Sequence, residues 1–464
     1  MARAPETRGW GTRVPELIAT GNDAGGASPS LRPRAPCRPF PGGAPSKTGM
    51  TAGRGLRGRS SGVHGTVTGS CLDEPRCLAD DFGACDAPHV SRSRSSPHAV
   101  SMPPTRLLVF AALLTVRAVD LFGSPGLAAQ ERSPEVVATQ LAAVYGKQLE
   151  QTAYIPALPL IAKLRLSQLT GRPEPADEVG RMLEPFLRGE RDPVPKSGSE
   201  QAGHLIFAAM ADRCAGEDRG RWIALCRQAA DQIFAPDGTP LPLMPFHNEM
   251  SDAVFMAGPI LAATGRLTGE RRYFDAAALH LQSMRQLCLR PDGLYRHSPQ
   301  CDAAWGRGNG FPALGLALAL TDWPLDHPAR PELIEHLRHH LRALLRHQDA
   351  DTGCWRQVID EPSSYLEYSC TCMIGFAIQR GIGEGWLEAS QFRPAADAAW
   401  RAVEGRTSPA GLLVNVCTGT GKQKTLEDYL TRPAIQGRDD RGGAMGLLFA
   451  VERLAADVRE QGGR

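Results

Sequence analysis

Asp252 stands in the segment HNEMSDAVFMAGP, where a carboxyl opens an otherwise apolar helical run containing Val254, Phe255 and Met256. Apolar surroundings disfavour a charged carboxylate, which suits such a group to proton donation near neutrality. The competing reading is a carboxylate that stabilises its helix N-terminus through the dipole. A second cluster lies in DGLYRHSPQCDAAWGRGNGF. There, an indole such as Trp305 can stack on a sugar ring, and a guanidinium such as Arg307 can pair with a carboxylate. His297 can bond a ligand or adjust the proton affinity of a nearby carboxyl, or be a plain surface histidine. Gly306, Gly308 and Gly310 would let the backbone approach a ligand closely.

These residues must be positioned by helices. From Ser133 onward, apolar residues recur at three- and four-residue spacing, punctuated by Gly or Pro, while strand-like alternation is nearly absent. The pattern predicts helices near 133–150, 155–170, 173–188, 200–214, 217–234, 250–264, 270–290, 309–321, 330–348, 364–381, 384–403 and 440–458. A weak internal repeat of helix end, short turn and helix start recurs in SQLTGRPEPADEVGRM, AATGRLTGERRYFDAA, LALTDWPLDHPARPELIEHL and AIQRGIGEGWLEASQF. Helical hairpins cannot bury their apolar faces singly, so they must stack as a solenoid or close into a ring. Six hairpins suit an all-α (α/α)6 barrel, a six-hairpin toroid with its active face at one end. Two segments, 292–315 and 415–433, have the polar, aromatic and Gly-rich text expected of that face.

Four blocks carry a resemblance: HNEMSDAVFMAGPILAATGRLTGERRYFDAA, DGLYRHSPQCDAAWGRGNGF, SSYLEYSCTCMIGFAIQRGIGEGWLE and CTGTGKQKTLEDYLTRPAIQGRDDRGGAMGLLFAVE. In this order and spacing they resemble the unsaturated glucuronyl and rhamnogalacturonyl hydrolases, glycoside hydrolase families 88 and 105, most clearly over 247–453. The resemblance implies an (α/α)6 barrel acting without cofactor on the unsaturated uronic acid left at a non-reducing end by a polysaccharide lyase. It implies Asp252 as the acid/base, with His297, Trp305, Arg307, Asn309 and Phe311 as substrate contacts. Three positions depart from the pattern. Met250 replaces a tryptophan, Phe311 replaces another, and an aspartate expected on an earlier inner helix is absent from SGSEQAGHLIF. Glu200 either substitutes for that aspartate as a second catalytic acid or caps a helix after Ser197 or Ser199. Glu367 and Tyr365 match the third block and either contact substrate or open a helix and pack. Two other readings stay open: a different sugar enzyme on the same ring, such as an epimerase or an ordinary glycosidase, and a non-catalytic carbohydrate-binding toroid.

Composition bounds the remaining possibilities. The chain has 464 residues, 42% hydrophobic and 22% charged, with a formal net charge of +2, so no field for nucleic acid or a membrane surface is expected. Residues 1–101 are Arg-, Ser-, Gly- and Pro-rich without apolar periodicity, a low-complexity extension. The text from Met102 has the layout of a signal peptide over 102–129, too short in its apolar run to span a bilayer. Translation is therefore expected to begin at Met102 and the barrel, 130–464, to be secreted or periplasmic; the alternative is a disordered extension before a buried helix. Export would permit disulfides, with Cys214–Cys226 and Cys288–Cys301 as pairs closing short loops. Cys370-x-Cys372 lacks a second cysteine pair or nearby histidines, so no zinc site is expected.

Overall fold

The computed structural model describes residues 131–462; the expected extension (1–101) and signal segment (102–129) lie outside them. Twelve of the helical segments are α1 (Pro134–Val144), α2 (Tyr154–Thr170), α3 (Glu174–Leu187), α4 (Gly198–Gly203), α5 (Leu205–Ala211), α6 (Gly216–Ala230), α7 (Ala253–Thr268), α8 (Arg271–Cys288), α9 (Gly306–Asp322), α10 (Arg330–Leu345), α11 (Tyr368–Gly383) and α12 (Ala389–Gly405). The short α13 (Leu426–Leu430) and the long α14 (Asp440–Gly462) follow.

The chain forms an (α/α)6 barrel. Its inner helices follow one another around a closed ring: α2, the α4–α5 pair, α7, α9, α11 and α14, which returns to α2. Outside them, α3 packs on α2, α6 on α5 and α7, α8 on α7, α10 on α9, α12 on α11 and α1 on α14. Sequence patterning explains the two layers. The inner α7, α9 and α11 are buried almost all round, whereas α8 buries a stripe of Tyr273, Phe274, Ala276, Ala277, His280, Leu281, Met284 and Cys288 at helical spacing. Close packing of the inner layer depends on small residues. A Cβ on Gly315 of α9 would lie 2.7 Å from the Phe255 Cα of α7, so only glycine permits that crossing.

Three features differ from the sequence reading. The predicted helix 200–214 is broken at His204 into α4 and α5. Short strands are present, with β1 (Trp355–Arg356) antiparallel to β2 (Leu366–Glu367), and β3 (Leu413–Cys417) antiparallel to β4 (Ala434–Gly437). Cys226, Cys288 and Cys301 are thiols, so neither expected disulfide forms; Cys226 and Cys288 are wholly buried on α6 and α8. No described helix is long and apolar enough to cross a membrane.

Candidate active site

Asp252 occupies the N-cap position of α7, yet its side chain makes no capping bond to the helix. No cap hydrogen bond to the helix engages the carboxylate. Only 7% exposed, it faces His297, with Oδ2 3.1 Å from Nε2. The backbone holds the two together, because the Ser251 amide donates to the His297 carbonyl at 2.9 Å.

His297 is wholly buried, and its other nitrogen meets the Tyr429 hydroxyl at 2.9 Å. The Gln423 amide donates to that same phenol oxygen at 3.2 Å. With the amide bonded to one lone pair, the hydroxyl hydrogen is free to point at Nδ1, an arrangement that would put the ring hydrogen on Nε2, the nitrogen next to Asp252. Tyr429 sits on α13, which a Thr425–Asp428 capping box anchors. The segment 415–433 thus borders Asp252 and His297, and it holds the end of β3 and all of α13. Tyr429 itself was not anticipated, although the T-x-x-D capping signature was present to mark its helix.

Asp252 Oδ2 and His297 Nε2 are close but not aligned for a hydrogen bond, and each lacks another partner. The Ser251 hydroxyl, the Trp305 indole nitrogen and Nδ1 of His247 are likewise buried without partners. Buried polar atoms are nearly always paired. Five unpaired ones on neighbouring residues mark a place prepared for a polar ligand. Tyr154, which opens α2, adds a phenol beside them. Its pKa is pushed up to about 12, chiefly by burial and also by Asp252, with Arg307 opposing.

The remaining expected site residues already have partners within the protein. Glu200 is a cap: Ser197 accepts its amide at 3.2 Å, and its carboxylate accepts the Lys196 amide at 2.8 Å. A glutamate at the third position of a helix reaches back in this way rather than across the barrel. Asn309 is buried and satisfied by backbone, with Oδ1 accepting the Tyr295 amide and Nδ2 donating to the Tyr295 and Trp305 carbonyls. Phe311 is 1% exposed beneath the site, edge-on to Tyr154. Trp305 is 2% exposed, with His297 4.5 Å from its ring and Arg307 over it, so the indole supports the imidazole instead of offering an open face.

Arg307 is also 2% exposed and donates to the Cys417 and Thr418 carbonyls at 2.5 and 2.6 Å, pinning β3 to the mouth. Gly306, Gly308 and Gly310 belong to α9 or its start, and a Cβ on each would press on Arg356 O, Ser251 Oγ and Met373 Sδ. Their small size serves protein packing. Glu367 is buried as the cap of α11, accepting amides of Ser369, Cys370 and Cys417. The Tyr365 hydroxyl reaches the Pro433 carbonyl at 3.4 Å.

A closed ring of six helical hairpins with a buried carboxylate–imidazole pair at its mouth defines the class: a six-hairpin barrel of the glycosidase type. Comparison with known proteins is more specific. Residues 243–456, which contain Asp252, His297 and Tyr429, match the family described as Glycosyl Hydrolase Family 88. The chain is 31% identical over 219 residues to the unsaturated rhamnogalacturonyl hydrolase YesR of Bacillus subtilis (strain 168), spanning 45% of this chain and 60% of that relative. Among solved structures, a possible GH105 family member from Salmonella enterica subsp. enterica serovar Paratyphi A superposes with a TM-score of 0.61 at 19% identity, covering 75% of this chain and 100% of that one. The unsaturated glucuronyl hydrolase of Bacillus sp. GL1 superposes with a TM-score of 0.52 at 16% identity, covering 70% and 95%. These matches bear out the resemblance carried by the four sequence blocks and the barrel it implies.

Proposed function

We propose that this protein hydrolyses unsaturated uronic acid residues from the non-reducing ends of polysaccharide-lyase products, with Asp252 as the acid/base. The observation that carries this reading is the cluster of unpaired buried polar atoms around Asp252 and His297. Such a substrate is an enol ether. Protonation of C4 by the Asp252 carboxylic acid generates an oxocarbenium ion at C5. The resulting carboxylate then takes a proton from the water that adds to C5. The hemiketal so formed opens, and the glycosidic bond breaks as a consequence. Asp252 thereby ends protonated, as it began.

This chemistry needs one carboxyl, where direct displacement at a glycosidic bond takes two flanking it. Two nearby acids are already engaged in caps. Glu200 is held at α4, and Asp439 accepts the Gly442 amide and the Arg441 guanidinium. The Nε2–H of His297 is placed to stabilise the carboxylate form that activates water. Secretion or periplasmic export is part of the proposal, supported by the signal-like layout of residues 102–129.

The test is to follow the ultraviolet absorbance of the conjugated acid in lyase-generated disaccharides from rhamnogalacturonan, glycosaminoglycan and ulvan. The expected result is decay with at least one of them, reduced roughly 10²–10⁴-fold in Asp252→Asn. Binding of these disaccharides without decay would favour a non-catalytic toroid.

A further inference from the structure

His247 is the residue at the mouth that neither helix packing nor the Asp252–His297 pair explains. Its backbone lies at φ 53°, a left-handed conformation that is costly for most side chains and persists chiefly where function holds it. Its carbonyl accepts the Met250 amide at 3.0 Å, a tight turn that delivers the chain directly into Ser251 and Asp252. The ring fills the space over the start of α4, where a Cβ on Gly198 would come within 2.2 Å of Nδ1. Glycine at 198 thus makes room for the imidazole.

The expected acidic partner of Asp252 belonged to this same stretch, and its nearest candidate, Glu200, turns back to cap the helix. Among the described residues nothing hydrogen-bonds the His247 ring, and its Nδ1 is buried. The charged and titratable groups that act on it are Asp252, His297 and Lys422, and Lys422 is itself paired with Glu249. Burial pulls the proton affinity of the ring down and outweighs the attraction of Asp252. A neutral imidazole offers one donor and one acceptor nitrogen. A sugar hydroxyl both donates and accepts, so it can satisfy the unburied nitrogen in either tautomer, whereas a carboxylate can satisfy only one.

We propose that His247 is a substrate-contacting residue standing in for the absent acidic partner of Asp252, with its imidazole hydrogen-bonded to a ring hydroxyl of the unsaturated sugar. This rests on the hydrolytic reading above. It also fixes the recognised class as a ring that keeps a free hydroxyl on the face turned toward α4.

The experiment compares wild type, His247→Asn and His247→Gln on an unsaturated disaccharide that the wild type turns over. Asparagine is at ease in the left-handed backbone, so His247→Asn should melt at the wild-type temperature or above it. Its KM should nevertheless rise tenfold or more, with a smaller change in kcat. His247→Gln, which keeps a hydrogen-bonding group of similar reach, should recover part of that KM. An unchanged KM in His247→Asn overturns the assignment while leaving the reaction intact. A rise in KM that appears only with a matching fall in melting temperature in both variants also overturns it. A wild type inert toward every lyase product overturns the reaction and this assignment together.

Discussion

Asp252, His297 and Tyr429 form one line of groups, and each has a different physical task. In the proposed reaction the carboxyl exchanges the proton, the imidazole steadies its charged form, and the phenol donates to the imidazole nitrogen that faces away from Asp252. Tyr429→Phe removes the hydroxyl and leaves Nδ1 without its donor. At about 1 kcal/mol for a hydrogen bond, kcat should fall roughly fivefold with little change in KM, as steady-state kinetics would show. Glu200 gives the opposite expectation. If its cap bond to the Lys196 amide is its whole task, Glu200→Ala should lower unfolding free energy by about 1 kcal/mol in denaturant melts while kcat stays near wild type. Loss of turnover in that variant would restore Glu200 as the second acid. Asp252 is singled out by the family blocks around it, because a lone carboxyl at the start of an apolar helix fits a helix-stabilising role as well. Tyr429 is not, because 132 residues separate it from His297 and only the closed barrel brings them together.

Elements of the outer layer hold the site from behind. His280 on α8 accepts the Met244 amide at Nδ1 (3.3 Å) and donates from Nε2 to the Ala253 carbonyl (2.9 Å), tying down both ends of the segment that carries His247 and Asp252. His340 on α10 meets the carbonyls of Gly293 and Asn309 at 2.9 and 3.0 Å, bracing the approach to His297. His280→Phe would fill the volume but leave the buried Met244 amide without an acceptor, while the Ala253 carbonyl keeps its bond within α7. An unfolding free energy lower by about 1–3 kcal/mol is expected from urea melts. Gly315→Ala should cost about 1–3 kcal/mol by the same measurement, since its methyl would press on the α7 backbone. The long helices were legible because their apolar periodicity spans several turns. The paired strands were not, because two to five residues are too few for alternation to show. The helix expected from 309 begins three residues earlier, at Gly306, because the glycines of its first turn hide a helix that burial stabilises.

Across the whole molecule, buried histidines set the acid limit. Burial lowers the pKa of His204 and His280 to about 4 and of His336 to about 3, from 6.5. These groups take up protons on unfolding once the pH drops below 6.5. Each should remove about 1.4 kcal/mol of stability per pH unit between there and its folded pKa. Thermal melts between pH 8 and pH 4 should therefore be nearly flat above pH 7 and fall steeply below pH 6. A profile flat down to pH 5 would contradict the burial of these rings. The toroid was foreseeable from six repeated hairpins, although its manner of closure was not: the periodicity says which faces are apolar, not which helix meets which. Closure is made by α14, seated between α11 and α2, with Gly443 against the Tyr145 ring and Gly446 against the Tyr368 hydroxyl. During synthesis, α14 emerges after every other inner helix. Without it α1, α2 and α11 lack the helix that covers their apolar faces, so stop codons upstream of residue 440 should give insoluble products even though every catalytic group proposed here has already been translated.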